Sequence, residues 1–116
     1  MQGLTMQELK LGQSASTSKT ISEADVYLFA GITGDLNPAH VNEPYAEETR
    51  FGRRIAHGML SAGLISAVIG MQLPGPGTIY MGQDPARNRV VLETTCENQA
   101  GKRLIAGQAL VMPPGA

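Results

Sequence analysis

A carboxylate and an imidazole stand five residues apart in Gly34-Asp35-Leu36-Asn37-Pro38-Ala39-His40. Glycine, asparagine and proline make this stretch a turn. A turn can bring both side chains to one face, where they hold one water between them. Asp35 would accept a proton from that water, and His40 would donate or relay one. The same residues also have a bland reading, in which Asp35 bonds its own backbone and His40 is incidental. The second candidate is His57-Gly58. At the head of a helix the first amides lack intrahelical partners and carry the positive end of the dipole. With no side chain at Gly58, a carbonyl oxygen could approach its N–H closely. That is the logic of an oxyanion hole, where losing one donor costs roughly 3–4 kcal/mol. The alternatives are a glycine required by helix packing and a His57 that caps or packs. Ser66 lies eight residues after Gly58, about two turns along such a helix. Its hydroxyl is expected to be buried and bonded, either in the site or to the i−4 carbonyl. A metal site built from Asp35, His40 and His57 is the weakest reading, because the first two already have a coherent role without a metal.

The elements that position these residues follow from caps and periodicity. Ser14, Ser16, Ser18 and Thr20 alternate with Ala15, Thr17 and Lys19, which predicts a polar strand. Ser22, with Asp25 three residues on, predicts a helix start that ends near Gly31 or Gly34. Asn42-Glu43-Pro44 predicts another, running through Tyr45 and Glu48. Residues 57–70 have no polar face beyond two serines. A helix there is apolar all round and is expected to be buried inside a wrapped sheet. Strands are predicted at Thr78–Gln83, Val90–Glu97 and Leu104–Met112, with a hairpin turn at Asn98-Gln99-Ala100-Gly101 and a stop at Pro113-Pro114. In the second strand Val90, Leu92, Thr94 and Cys96 share one face. Pro74-Gly75-Pro76-Gly77 predicts a tight loop. Early helices, one buried helix and late antiparallel strands make an α+β domain.

Composition bounds the function classes. The 116 residues suit one domain, 42% hydrophobic and 16% charged. The formal net charge of -1 offers no basic field for nucleic acid. With two Phe, three Tyr and no Trp, an aromatic base-stacking platform is not expected. One cysteine, Cys96, excludes an internal disulfide and any zinc site needing two thiolates. No basic n-region precedes an apolar run at the start, and the apolar stretch 58–70 is short of the roughly 20 residues of a membrane span. The expectation is a soluble cytoplasmic protein with no membrane partner.

The segment from Phe29 to His40, then Arg54-Ile55-Ala56-His57-Gly58-Met59-Leu60, Gln72-Leu73-Pro74-Gly75-Pro76-Gly77-Thr78 and the ending Leu110-Val111-Met112-Pro113-Pro114, resembles the R-specific enoyl-CoA hydratases of the MaoC-like dehydratase family. The resemblance covers most of the chain and implies a single hot-dog domain over 1–116, a curved antiparallel sheet around one long buried helix. It implies reversible hydration of a trans-2-enoyl-CoA to an (R)-3-hydroxyacyl-CoA, an acyl-CoA thioester as partner, a homodimer, and no metal or redox cofactor. By the same resemblance Asp35 and His40 activate water and move protons, Gly58 holds the thioester carbonyl, Ser66 supports the site and Asn37 fixes the turn. A dehydratase acting on acyl carrier protein and a non-catalytic acyl-thioester-binding subunit are the competing functions. After Gln83 the family continues with a strand, a turn and another strand, roughly 15–20 residues. Here Asp84-Pro85-Ala86-Arg87-Asn88-Arg89 leads straight to Val90. The expected sheet is therefore shortened, and the helix should lose part of its cover.

Overall fold

Ser22 and Asp25 start the first helix by satisfying each other's backbone. The Ser22 hydroxyl accepts from the Asp25 N–H at 3.1 Å, and an Asp25 carboxylate oxygen accepts from the Ser22 N–H at 2.9 Å. This is the capping box expected from spacing, and helix α1 runs over Glu23–Thr33. Lys19 Nζ lies 2.8 Å from the same carboxylate. That ammonium, followed by the Ser22 bonds, lowers the Asp25 carboxyl to about 2. Gly34 ends α1 at φ 79, a left-handed position that favours glycine, and its N–H returns to the Ala30 carbonyl at 2.8 Å.

The computed structural model describes residues 1–80 and 89–115. The chain divides into two units, residues 18–61 and residues 1–17 with 62–116. In the first unit α1 is followed by α2 (Pro38–Val41) and α3 (Glu43–Glu47). Both start with an asparagine cap and a proline in the first turn. Asn37 Oδ1 accepts from the Ala39 N–H at 3.0 Å, and Asn42 Oδ1 from the Tyr45 N–H at 3.0 Å. Helix α2 has one turn and was not predicted, because four residues are too few to show a period.

Helix α4 spans Gly58–Met71 and reaches well into the second unit. Strands β1 (Ile79–Tyr80), β2 (Val90–Glu97) and β3 (Arg103–Met112) form a three-stranded antiparallel sheet among the described residues, in the order β1-β3-β2. Register pairs Val90 with Val111 and Leu92 with Ala109. Along β2 the half-buried residues are Val90, Leu92, Thr94 and Cys96, alternating with exposed neighbours as predicted. Ile69 of α4 packs with Ala109 and Val111, flanked by Ile65, Val90 and Leu92. The turn between β2 and β3 closes on Gly101 at φ 74, with Asn98 Oδ1 accepting from the Ala100 and Lys102 N–H groups. The loop at Pro74–Gly77 holds the N-terminal segment, as the Gly3 N–H donates to the Pro76 carbonyl at 2.8 Å and the Leu4 N–H to the Pro74 carbonyl at 2.7 Å. A Cβ at Gly3 would sit 2.6 Å from the Pro74 oxygen, so glycine is required there.

Three expectations are corrected. Residues 14–20 are exposed and form no strand. Their alternation is polar on both faces, so pairing would bury nothing to offset the ordering entropy. Helix α4 is not buried all round, since only Ile69 is buried while Met59 and Met71 are 69% and 62% exposed. Three strands among the described residues cover one side of a helix, not its circumference. For the same reason Ser66 is exposed, not buried. The last part of the predicted strand 78–83 and the shortened stretch after Gln83 lie outside the described residues.

Candidate active site

The turn after α1 is a chain of short-range hydrogen bonds. Thr33 Oγ1 donates to the Phe29 carbonyl at 2.8 Å and accepts from the Asp35 N–H at 3.1 Å. Asp35 Oδ1 accepts from the Asn37 N–H at 3.2 Å. Asn37 then caps α2, and the His40 N–H donates to the Asn37 carbonyl at 2.9 Å. Proline and asparagine thus fix how far the chain travels between the carboxylate and the imidazole. Asp35 and Asn37 are exposed and His40 is half-buried.

A loop from the other end of the unit completes the geometry. The Ile55 N–H donates to the Ala39 carbonyl at 3.2 Å, and His40 Nδ1 lies 2.8 Å from the Ile55 carbonyl. A carbonyl can only accept, so Nδ1 carries the hydrogen and Nε2 keeps a lone pair in the neutral ring. His57 Nε2 lies 2.9 Å from the Asp35 main-chain carbonyl and is likewise the donor. The His57 ring stacks on His40 with centroids 3.9 Å apart and planes 31° apart, and Phe29 sits 4.7 Å away. A carboxylate oxygen of Asp35 and ring nitrogens of His40 and His57 lie within 4.8 Å of one another. A separation up to that limit leaves room for one bridging water.

Arg54 fastens the loop that carries Ile55 and His57. Its Nε lies 2.6 Å from a Glu43 oxygen, Nη1 lies 2.5 Å from the Tyr27 hydroxyl, and Nη2 pairs with Glu23. The bonds to Glu23 and then Glu43 raise the Arg54 pKa further, and the Arg54 and Tyr27 bonds hold the Glu23 carboxyl below its usual range. A cleft of about 380 Å³ opens beside this anchor, lined by His40, Ile55, Ser22, Val26, Glu43 and Arg53.

Gly58 is the first residue of α4, where the amide has no intrahelical acceptor. A Cβ built there would meet nothing within 4 Å. Packing inside the protein therefore does not require glycine at this position. Ser66 belongs to the other unit and is exposed, so it is not among the residues that 18–61 bring together. Spacing alone assigns Arg54 no role and offers His57 as a cap or packing residue, a direct catalyst or a metal ligand. A guanidinium that joins residues 23, 27 and 43 has no spacing rule to reveal it. For His57 the only signal was its place beside Gly58.

The MaoC like domain family matches residues 6–87. The chain belongs to that family. It is 50% identical over 131 residues to an (R)-specific enoyl-CoA hydratase of Rhodospirillum rubrum, covering 93% of this chain and 90% of the relative. The aligned length exceeds the 116 residues of this MaoC-like chain, so the relative carries positions that have no counterpart here. Among solved structures, the unliganded R-hydratase PhaJ1 from Pseudomonas aeruginosa matches with TM-score 0.89 and 41% identity over 99% of this chain and 88% of that one. The (R)-hydratase of A. caviae matches with TM-score 0.87 and 34% identity over 93% and 99%. The fold is the α+β hot-dog fold of these R-hydratases.

Proposed function

We propose that this protein is a hydro-lyase that adds water to a trans-2-enoyl-CoA, giving an (R)-3-hydroxyacyl-CoA, and catalyses the reverse dehydration. The observation that carries this reading is the Asp35 carboxylate held within 4.8 Å of a His40 ring nitrogen by a turn built for that spacing. The R. rubrum relative and the two R-hydratase structures support the substrate class.

In the proposed reaction the thioester carbonyl receives the Gly58 N–H at the positive end of α4. Polarising that carbonyl makes C3 electrophilic. A water held between Asp35 and His40 attacks C3, and negative charge develops on the thioester oxygen. The proton leaving the water passes to the Asp35–His40 pair, and one proton from the pair reaches C2. Overall one water is added and both residues return to their starting state. His40 can take part because its Nδ1–H is committed to Ile55, which leaves Nε2 to accept a proton. The step requires no metal and no redox cofactor. We take residues 1–116 as one domain, since the family match crosses both units. Apolar side chains exposed on α4, such as Met59 and Met71, support a homodimer.

Loss of enoyl absorbance with crotonyl-CoA tests the reading, with chiral analysis of the product. Turnover in the wild type that is lost in Asp35→Asn and in His40→Gln is the expected result. Activity unchanged in both variants would sink it. Comparing crotonyl groups on CoA and on acyl carrier protein decides the carrier. Tight thioester binding without turnover would instead favour a binding subunit.

A further inference from the structure

Two groups proposed to do the chemistry lie on the turn 35–40, yet one imidazole from further along the chain touches both. We propose that His57 is a positioning residue that sets Asp35 and His40 in register with each other. The inference rests on the hydratase reading and names how its site is held.

His57 is 2% exposed, so its ring is immobilised by its surroundings. Nε2–H holds the Asp35 main-chain carbonyl, and the ring face holds His40. The opposite restraint on His40 is the Ile55 carbonyl, two residues before His57 in the chain. One short segment therefore fixes where Asp35 starts its turn and how the His40 ring is rotated.

The second ring nitrogen identifies the purpose. His57 Nδ1 is buried with no hydrogen-bond partner among the described residues. A buried polar atom left unpaired is unfavourable. A residue present only to fill this space would be better apolar, and phenylalanine has a similar ring without the orphan nitrogen. The imidazole is explained by what Nε2–H does, at the cost of Nδ1.

Three proteins test this: wild type, His57→Phe and His57→Gln. Phenylalanine keeps a ring against His40 and loses the donor, whereas the glutamine amide restores a donor near the Nε2 position. We expect kcat for crotonyl-CoA in His57→Phe to fall about 10–100-fold, the size of effect a small misplacement produces. KM should stay within about twofold, because substrate contacts are not altered, and Tm should change by only a few degrees, because removing the orphan Nδ1 offsets part of the lost Nε2–H bond. His57→Gln should recover most of the lost kcat. Wild-type kcat in His57→Phe, or loss of kcat strictly in step with loss of Tm, overturns the proposal. A measurement on the wild type alone avoids any folding problem in the variants. Long-range 1H–15N spectra should assign the hydrogen to Nε2 of His57 and to Nδ1 of His40, and the opposite tautomer at His57 would refute the clamp. If wild-type protein shows no turnover, the hydratase reading fails, and the tautomer result still decides whether the clamp exists.

Discussion

The unit 18–61 and the β2–β3 hairpin of the other unit are held together by different forces. In the hairpin, backbone ladders and a small cluster of Ile69, Ala109 and Val111 do the work, and the side-chain pattern simply alternates. In 18–61 the buried apolar residues are only Ala30 and Ala46. Order there comes from directional polar contacts: two asparagine caps, an Asx-type bond at Asp35, the His57 and His40 bonds to carbonyls, and the Arg54 fork. Apolar burial tolerates small shifts, but a hydrogen bond has a narrow range of distance and angle. The unit that carries the proposed water site is built from the second kind of contact.

Substitutions can break that contrast, beginning with the largest effect. Asp35→Asn combined with His40→Gln should reduce kcat about 10²–10⁴-fold, the usual worth of acid–base groups, with Tm little changed. Gly58→Ala should also slow turnover strongly while leaving the fold intact, since its Cβ meets only open space. A loss near 10²-fold in kcat is the scale for disturbing one oxyanion donor. Wild-type activity in Gly58→Ala would remove that residue from the site. Val111→Ala, in the other region, should cost about 2 kcal/mol by denaturant unfolding and leave kcat per folded molecule unchanged.

Smaller effects sharpen the comparison. Arg54→Gln should lower kcat about tenfold by freeing the Ile55 loop, through displacement and not through lost chemistry. Ser22→Ala should cost about 1 kcal/mol by removing the α1 cap. The Asp25 end of that cap sets a pH window. Its folded pKa, about 2, lies below the ordinary 3.8, so its stabilisation is present above about 4 and is lost as pH falls through 2. Circular dichroism across that range should show less acid-induced helix loss in Asp25→Asn relative to its own neutral-pH signal.

What the chain alone made legible was local. The Ser22 box, the Gly34 stop, the Asn42-Pro44 start, the β2 alternation and the Asn98–Gly101 turn each depend on residues a few positions apart, and each formed. Expectations that needed a distant partner fared worse. The polar stretch 14–20 has no face to bury, and part of α4, with Ser66, remains exposed because burial depends on how many strands lie against the helix. Spacing made Asp35 and His40 candidates, since five residues through a proline turn can reach only a few geometries. Tertiary structure alone decided that His57 touches both of them and that Arg54 ties the loop to residues 23, 27 and 43. Those bonds join residues 11 to 31 positions apart. No period or cap encodes such pairings, because they exist only once chain folding has closed the loops between them.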